Sequence, residues 1–108
     1  MTFQRRSKFN ATRVEHDGLK FASKKEARRH ADLKRLERAG AIHNLETQVR
    51  IALHTMGGEV VGHYVADFRY LLPGRGVVVE DAKGFKTDLY RWKARHFKAE
   101  YGVEIVET

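Results

Sequence analysis

Three strand-length runs follow one another between residues 46 and 83, separated only by tight turns, and nothing else in the chain constrains the fold as much. Residues 46–54 and 59–70 alternate apolar and polar side chains, the period of a strand with one buried face. Met56-Gly57-Gly58 lies between them, and Leu71-Leu-Pro-Gly-Arg-Gly76 follows; both are turn sequences. Val77-Val-Val-Glu-Asp-Ala-Lys83 is the third run, with an apolar start and a charged end. Strands joined by turns this short run antiparallel. Ser23 opens a helix that precedes them and runs to about Ala39, where Gly40 closes it. Thr87 or Asp88 caps a second helix that runs to about Tyr101 and stops at Gly102, and Val103-Glu-Ile-Val106 is a short last strand. Only this last connection, through a helix, suits a parallel pair. Residues 13–21 add a hairpin around Asp17-Gly18 at the front. The expected architecture is therefore α/β (α+β), in the order α-β-β-β-α-β, with residues 13–108 forming one domain. Residues 1–12, carrying Arg5, Arg6 and Lys8, form a basic arm.

The 108 residues hold 21 Lys+Arg against 14 Asp+Glu, a formal charge of +7, which favours polyanions, nucleic acid before an anionic membrane. No apolar run approaches the ~20 residues of a membrane-spanning helix, and Met1-Thr-Phe-Gln-Arg-Arg lacks the apolar core of a secretory signal. The chain has no cysteine, which excludes disulfide scaffolds and Cys-ligated zinc. A cytoplasmic location with no membrane partner is the expectation.

Alternation puts Asp81 and Lys83 on one face of the third run and Glu80 and Ala82 on the other. Asp67 lies on the preceding run, in Tyr64-Val-Ala-Asp-Phe-Arg-Tyr70, and the Pro73-Gly74 turn makes the two runs neighbours. Asp67 and Asp81 then converge on one end of a small sheet, where a divalent cation relieves their repulsion. A hard ion such as Mg²⁺ suits carboxylate oxygens. Lys83 adds a positive charge able to orient an attacking water or stabilise an anionic transition state. The triplet by itself says little, because an acid-x-Lys triplet is expected roughly once by chance, and Asp32-Leu33-Lys34 is another. Context distinguishes Asp81-Ala82-Lys83: three valines before it, a Gly and a helix after it, an Asp on the strand alongside. The competing reading is a strand-end ion pair between Asp81 and Lys83.

Glu26 has two readings. Ser23-Lys24-Lys25-Glu26 is a capping box in which Glu26 reaches back to the first amide. At about 100° per residue, Glu26 also falls on the side that Leu33 turns toward the core, together with His30 and Glu37.

Phe21-Ala-Ser-Lys-Lys-Glu26-Ala, Gln48, Tyr64-Val-Ala-Asp67-Phe and Val79-Glu-Asp81-Ala-Lys83-Gly84, in that order, resemble the PD-(D/E)XK nuclease superfamily. The likeness is greatest to small bacteriophage and prophage endonucleases related to archaeal-type Holliday-junction resolvases, and it covers about residues 8–106. It implies a restriction-endonuclease-like αβββαβ core, with Glu26, Asp67 and Asp81 as ligands of Mg²⁺ (Mn²⁺ substituting) and Lys83 as the catalytic lysine. It places Gln48 near the site and implies DNA hydrolysis leaving 5′-phosphate and 3′-hydroxyl ends. Ala66 stands where the superfamily usually has Pro, and Glu80 competes with Asp81 as the acid, with strand alternation favouring Asp81.

On the second helix, Leu89, Trp92, His96 and Phe97 are expected on the apolar side, with Arg91, Arg95 and Lys98 opposite. Lys93 lies on the inward side, either reaching a phosphate or packing its stem with its head in water. Lys24, Lys25, Lys86, Lys93, Arg5 and Arg6 are the expected nucleic-acid contacts. The expected function is a metal-dependent endonuclease, active on branched DNA such as a Holliday junction in phage recombination, and needing no small-molecule cofactor. A homodimer would match the two-fold symmetry of a junction, with apolar positions such as Ile51, Leu53, Leu71 and Leu72 available for its interface. The alternatives are a non-catalytic nucleic-acid-binding module and a nuclease subunit of a larger recombination or transposition complex.

Overall fold

The computed structural model describes residues 14–16, 18–82 and 86–108. The basic arm with Arg5 and Arg6 lies outside these residues, and so does Lys83.

A small antiparallel hairpin, β1 (Val14–His16) with β2 (Leu19–Phe21), leads into α1 (Lys24–Arg38). Ser23 caps α1, its hydroxyl accepting from the Glu26 amide at 3.1 Å. Gly40, at φ 80°, turns the chain away after the last helical turn. The helix is so polar that it buries only Glu26, Ala27, His30 and Leu33. Next come β3 (His43–His54), β4 (Val60–Leu72) and β5 (Gly76–Asp81), then α2 (Asp88–Tyr101) and β6 (Ile105–Glu107). The four strands form one mixed sheet in the order β3-β4-β5-β6, antiparallel except for the β5–β6 pair, which α2 connects. The fold is α+β in the expected order. β3 begins earlier than its alternation suggests, and β6 runs from Ile105 rather than Val103.

The two faces of β5 show how the layers stack. Val78 packs into a cluster with Phe21, Ala27, Leu33, Phe68 and Tyr70 on the α1 side. Val79 packs into a second cluster with Leu53, Tyr64, Ala66, Tyr90 and Phe97 on the α2 side. The sheet thus lies between the helices, and full burial of Phe21, Leu33 or Phe68 contributes about 1.5–3 kcal/mol each. Tyr64 and Ala66 share the parity of Phe68 and Tyr70, yet they belong to the opposite cluster. The change of side coincides with Gln48 on β3, whose φ is 51°. A left-handed residue bends a strand and sharpens its twist, so one run of alternation can serve two helices.

The apolar side of α2 differs from the expected one. Phe97 turns inward as expected, joined by Tyr90 and Ala94, whereas Leu89 and Trp92 are 61% and 48% exposed. Tyr90 and Phe97 both pack against the Tyr64 ring, at 6.4 and 5.3 Å between centroids, and these contacts fix the rotation of the helix. The C-terminal end of α2 is tied to the tip of β3: Glu100 accepts from the His54 amide at 2.7 Å, and the Tyr101 hydroxyl donates to the Ala52 carbonyl at 2.6 Å. Leu53, expected as an interface position, belongs to the core. Among the described residues no helix is long and apolar enough to cross a membrane.

Candidate active site

Three neighbouring strands bring Gln48, Asp67 and Asp81 into one row across the sheet. In the β3–β4 pairing Thr47 faces Phe68 and Val49 faces Ala66, so Gln48 stands opposite Asp67. In the β4–β5 pairing Phe68 faces Glu80, so the next position outward sets Asp67 opposite Asp81. Directly opposed residues of an antiparallel pair point to the same face. The two aspartates therefore sit side by side, and both are buried, at 7% and 0% exposure.

Each carboxylate is fixed. Asp67 Oδ2 accepts from the Ala82 amide at 2.8 Å. Asp81 Oδ2 accepts from the Tyr64 hydroxyl, and the backbone carbonyl of Asp81 accepts from the Thr108 amide at 2.9 Å. Tyr90, on α2, donates to Glu107 at 2.9 Å. Burial pushes both tyrosine hydroxyls well above their ordinary range; the bond to Asp81 adds to this for Tyr64, and the bond to Glu107 for Tyr90. The charges of Asp67 and Asp81 raise both hydroxyls further.

Glu26 projects from the first turn of α1 and accepts from Gln48 Nε2 at 2.6 Å. Its amide completes the Ser23 cap while its side chain reaches β3, so the helix cap and the inward carboxylate are two ends of one residue. Gln48 thus ties the first turn of α1 to β3. Its φ of 51° is costly for any residue but Gly, by about 1–2 kcal/mol. Gln48→Gly removes that strain, offsetting the usual ~0.5–1 kcal/mol penalty of Gly in a strand. It is expected to unfold within a few degrees of the natural protein. Gln48→Val, with a β-branched side chain forced left-handed, is expected to unfold roughly 5–10 °C lower. Thermal unfolding followed by circular dichroism decides this, and equal unfolding temperatures for the two variants would show that the folded chain does not hold a left-handed residue at this position.

The acids come as a pair. Among the described residues no group of three or more His, Asp or Glu side chains is placed to hold a metal ion; Glu26 has its own contact with Gln48. The pair still has the donor chemistry of a hard divalent cation: carboxylate oxygens on adjacent strands, fixed by hydrogen bonds. Mg²⁺ is commonly bound through one or two carboxylates, keeping several waters.

Glu80 does not join the pair. It lies on the α1 face, fully buried, where Arg29 Nε and Nη2 each reach it at 2.8 Å and the Tyr70 hydroxyl donates to it. The alternation of β5 separates Glu80 from Asp81 as the sequence suggested. The clamp itself escaped notice, although Arg29 one turn after Glu26 on α1 was the signal for it. Tyr64 and Tyr90 were also missed, because a strand or helix tyrosine reads as core until its hydroxyl partner is known. Lys24 and Lys25 are exposed on the first turn of α1, Lys86 pairs with Glu107 at 2.7 Å, and Lys93 is half-buried on α2.

No curated protein and no solved structure matches the chain. Residues 6–106 match the family described as "Protein of unknown function (DUF1064)", and the chain belongs to that family.

Proposed function

We propose that the chain is a divalent-metal-dependent DNA endonuclease, acting in the cytoplasm of a bacterial host. The observation that carries this reading is the buried, neighbouring pair of Asp67, in the middle of β4, and Asp81, at the end of β5. Two neighbouring buried carboxylates repel, and a fold that keeps them together gains when a cation binds between them. The charge of +7 and the resemblance of the Glu26, Asp67 and Asp81-Ala82-Lys83 motifs to PD-(D/E)XK nucleases support DNA as the substrate.

In this reading Asp67 and Asp81 hold Mg²⁺ or Mn²⁺. When bound, the ion neutralises charge developing on the phosphate and lowers the pKa of water. Tyr64 keeps the Asp81 carboxylate in one orientation, and the Ala82 amide does the same for Asp67. Glu26, held by Gln48, is the third carboxylate of the motif. Lys83, two residues after Asp81, supplies a cation for the phosphorane-like charge. Water adds to phosphorus, the bond to the 3′ oxygen breaks, and the products are a 5′-phosphate and a 3′-hydroxyl. A homodimer acting on branched DNA remains part of the proposal, with the exposed Leu71 and the half-buried Ile51 and Leu72 as its apolar positions.

Supercoiled plasmid and labelled four-way junctions, incubated with Mg²⁺ and with EDTA, test the proposal. Nicking that requires the ion is expected. So is a rise in unfolding temperature on adding Mg²⁺, worth about 2.7 kcal/mol at a hundred times the dissociation constant. DNA binding without cleavage at any divalent ion would sink the enzyme reading and leave a nucleic-acid-binding module.

A further inference from the structure

A cleft of about 200 Å³ lies between the first turns of α1 and the residue following β6, lined by Lys25, Arg28, Arg29, Asp32 and Thr108. Lys25, Arg28, Arg29 and Asp32 follow the i, i+3, i+4, i+7 spacing of one helix face. Lys25 and Arg28 are exposed, and among the described residues neither has an ion-pair partner. Arg29 is anchored by its two bonds to Glu80, so its guanidinium is a fixed part of the wall. Asp32, the one acidic side chain in the lining, is taken up by Arg35. The Thr108 hydroxyl oxygen is buried, with no hydrogen-bond partner among the described residues. A backbone carboxylate at Thr108, counted against these cations, would still leave the cleft with a positive excess.

We infer that this cleft binds a phosphate group, and that its occupant is a backbone phosphate of the DNA strand lying across Asp67 and Asp81. Two free cations beside an immobile guanidinium are what a phosphate oxygen cluster needs. The position fits as well. The Thr108 amide donates to the Asp81 carbonyl, and Arg29 grips the residue preceding Asp81. The cleft thus borders the C-terminal end of β5 from the α1 face, with Asp81 on the α2 face of the same strand end, so a nucleic-acid strand rounding that end would meet both. Assigning the phosphate to DNA rests on the nuclease reading; the phosphate site itself does not.

Binding is measured in EDTA, so cleavage plays no part in the result. The probe is a fluorescein-labelled duplex of about 20 base pairs, titrated across a salt series. Lys25→Gln/Arg28→Gln is expected to weaken binding about tenfold at physiological salt and to lower the log–log salt slope by about 1–2. Lys20→Gln/Arg38→Gln removes the same charge from exposed positions outside the cleft and is expected to change affinity less than about threefold. Unfolding temperatures in phosphate and in chloride at equal ionic strength form the second arm. A phosphate-specific rise in the natural protein that the cleft variant loses would support the site. If that arm responds while DNA binding does not, the site takes free phosphate and the DNA assignment falls. Equal effects of the two double variants on DNA binding, with no phosphate-specific stabilisation, would overturn the site altogether.

Discussion

Asp81→Asn is expected to lower Mg²⁺-dependent nicking by on the order of 10³-fold while leaving the fold intact. Asparagine keeps the volume of the buried side chain and still offers Tyr64 an acceptor oxygen, so the hydrogen bond to the hydroxyl survives. The change removes one of two adjacent carboxylate charges and with it the main attraction for a divalent ion. A second result separates this explanation from simple damage. Without metal, Asp81→Asn relieves the repulsion from Asp67 and should raise the unfolding temperature, by about 4–8 °C for each kcal/mol of repulsion removed. With Mg²⁺ the order inverts, because only the natural protein gains from the ion. Asp67→Asn should behave in the same way, retaining an acceptor for the Ala82 amide. An EDTA-stripped Asp81→Asn preparation that nicks plasmid at the natural rate would falsify the assignment of the site.

The acid pair was legible because it depends on two features that sequence carries well. The Pro73-Gly74 turn makes β4 and β5 neighbours, and strand alternation then decides which side chains share a face. Those two rules place Asp67 against Asp81 and send Glu80 away; the paired register reaches Phe68 against Glu80, one position short of the two aspartates. Helix caps were legible for the same local reason, Ser23 and Thr87 before and Gly102 after. The rotation of α2 was not. Leu89 and Trp92 read as core beside Phe97 because they are apolar, but the helix turns to put Tyr90 with Phe97 on Tyr64 and so leaves both outside. Amphipathic periodicity gives a face only to within a residue or so; tertiary partners choose the final angle. The left-handed Gln48 was equally hidden, since nothing in Thr47-Gln48-Val49 departs from an ordinary strand.

Glu80→Ala is expected to be the most destabilising single substitution near the site, at about 3 kcal/mol, or roughly 12–24 °C in unfolding temperature. Glu80 accepts from both other members of a three-residue contact that ties α1 to β4 and β5, so its loss takes the carboxylate from two donors at once. The Tyr70 hydroxyl, pushed up to about 12 by burial and then by its bond to Glu80, stays protonated at any working pH and therefore always needs an acceptor. Arg29 stays charged, held far above its ordinary value chiefly by its bond to Glu80. Its side chain is 29% exposed, so water recovers part of what the missing carboxylate supplied, which is why the cost falls at the low end for a broken buried pair. Tyr70→Phe removes a donor and leaves the ion pair, at a cost of about 1 kcal/mol. Arg29→Met combined with Glu80→Met removes both charges and should recover much of the loss, a coupling that a double-mutant cycle measures directly. Well below its unfolding temperature, Glu80→Ala should keep the Mg²⁺-induced stabilisation that Asp81→Asn loses, although the two residues are adjacent in sequence. Loss of that metal response in Glu80→Ala, or an unfolding temperature within a few degrees of the natural protein, would mean that the two faces of β5 do not divide support from chemistry.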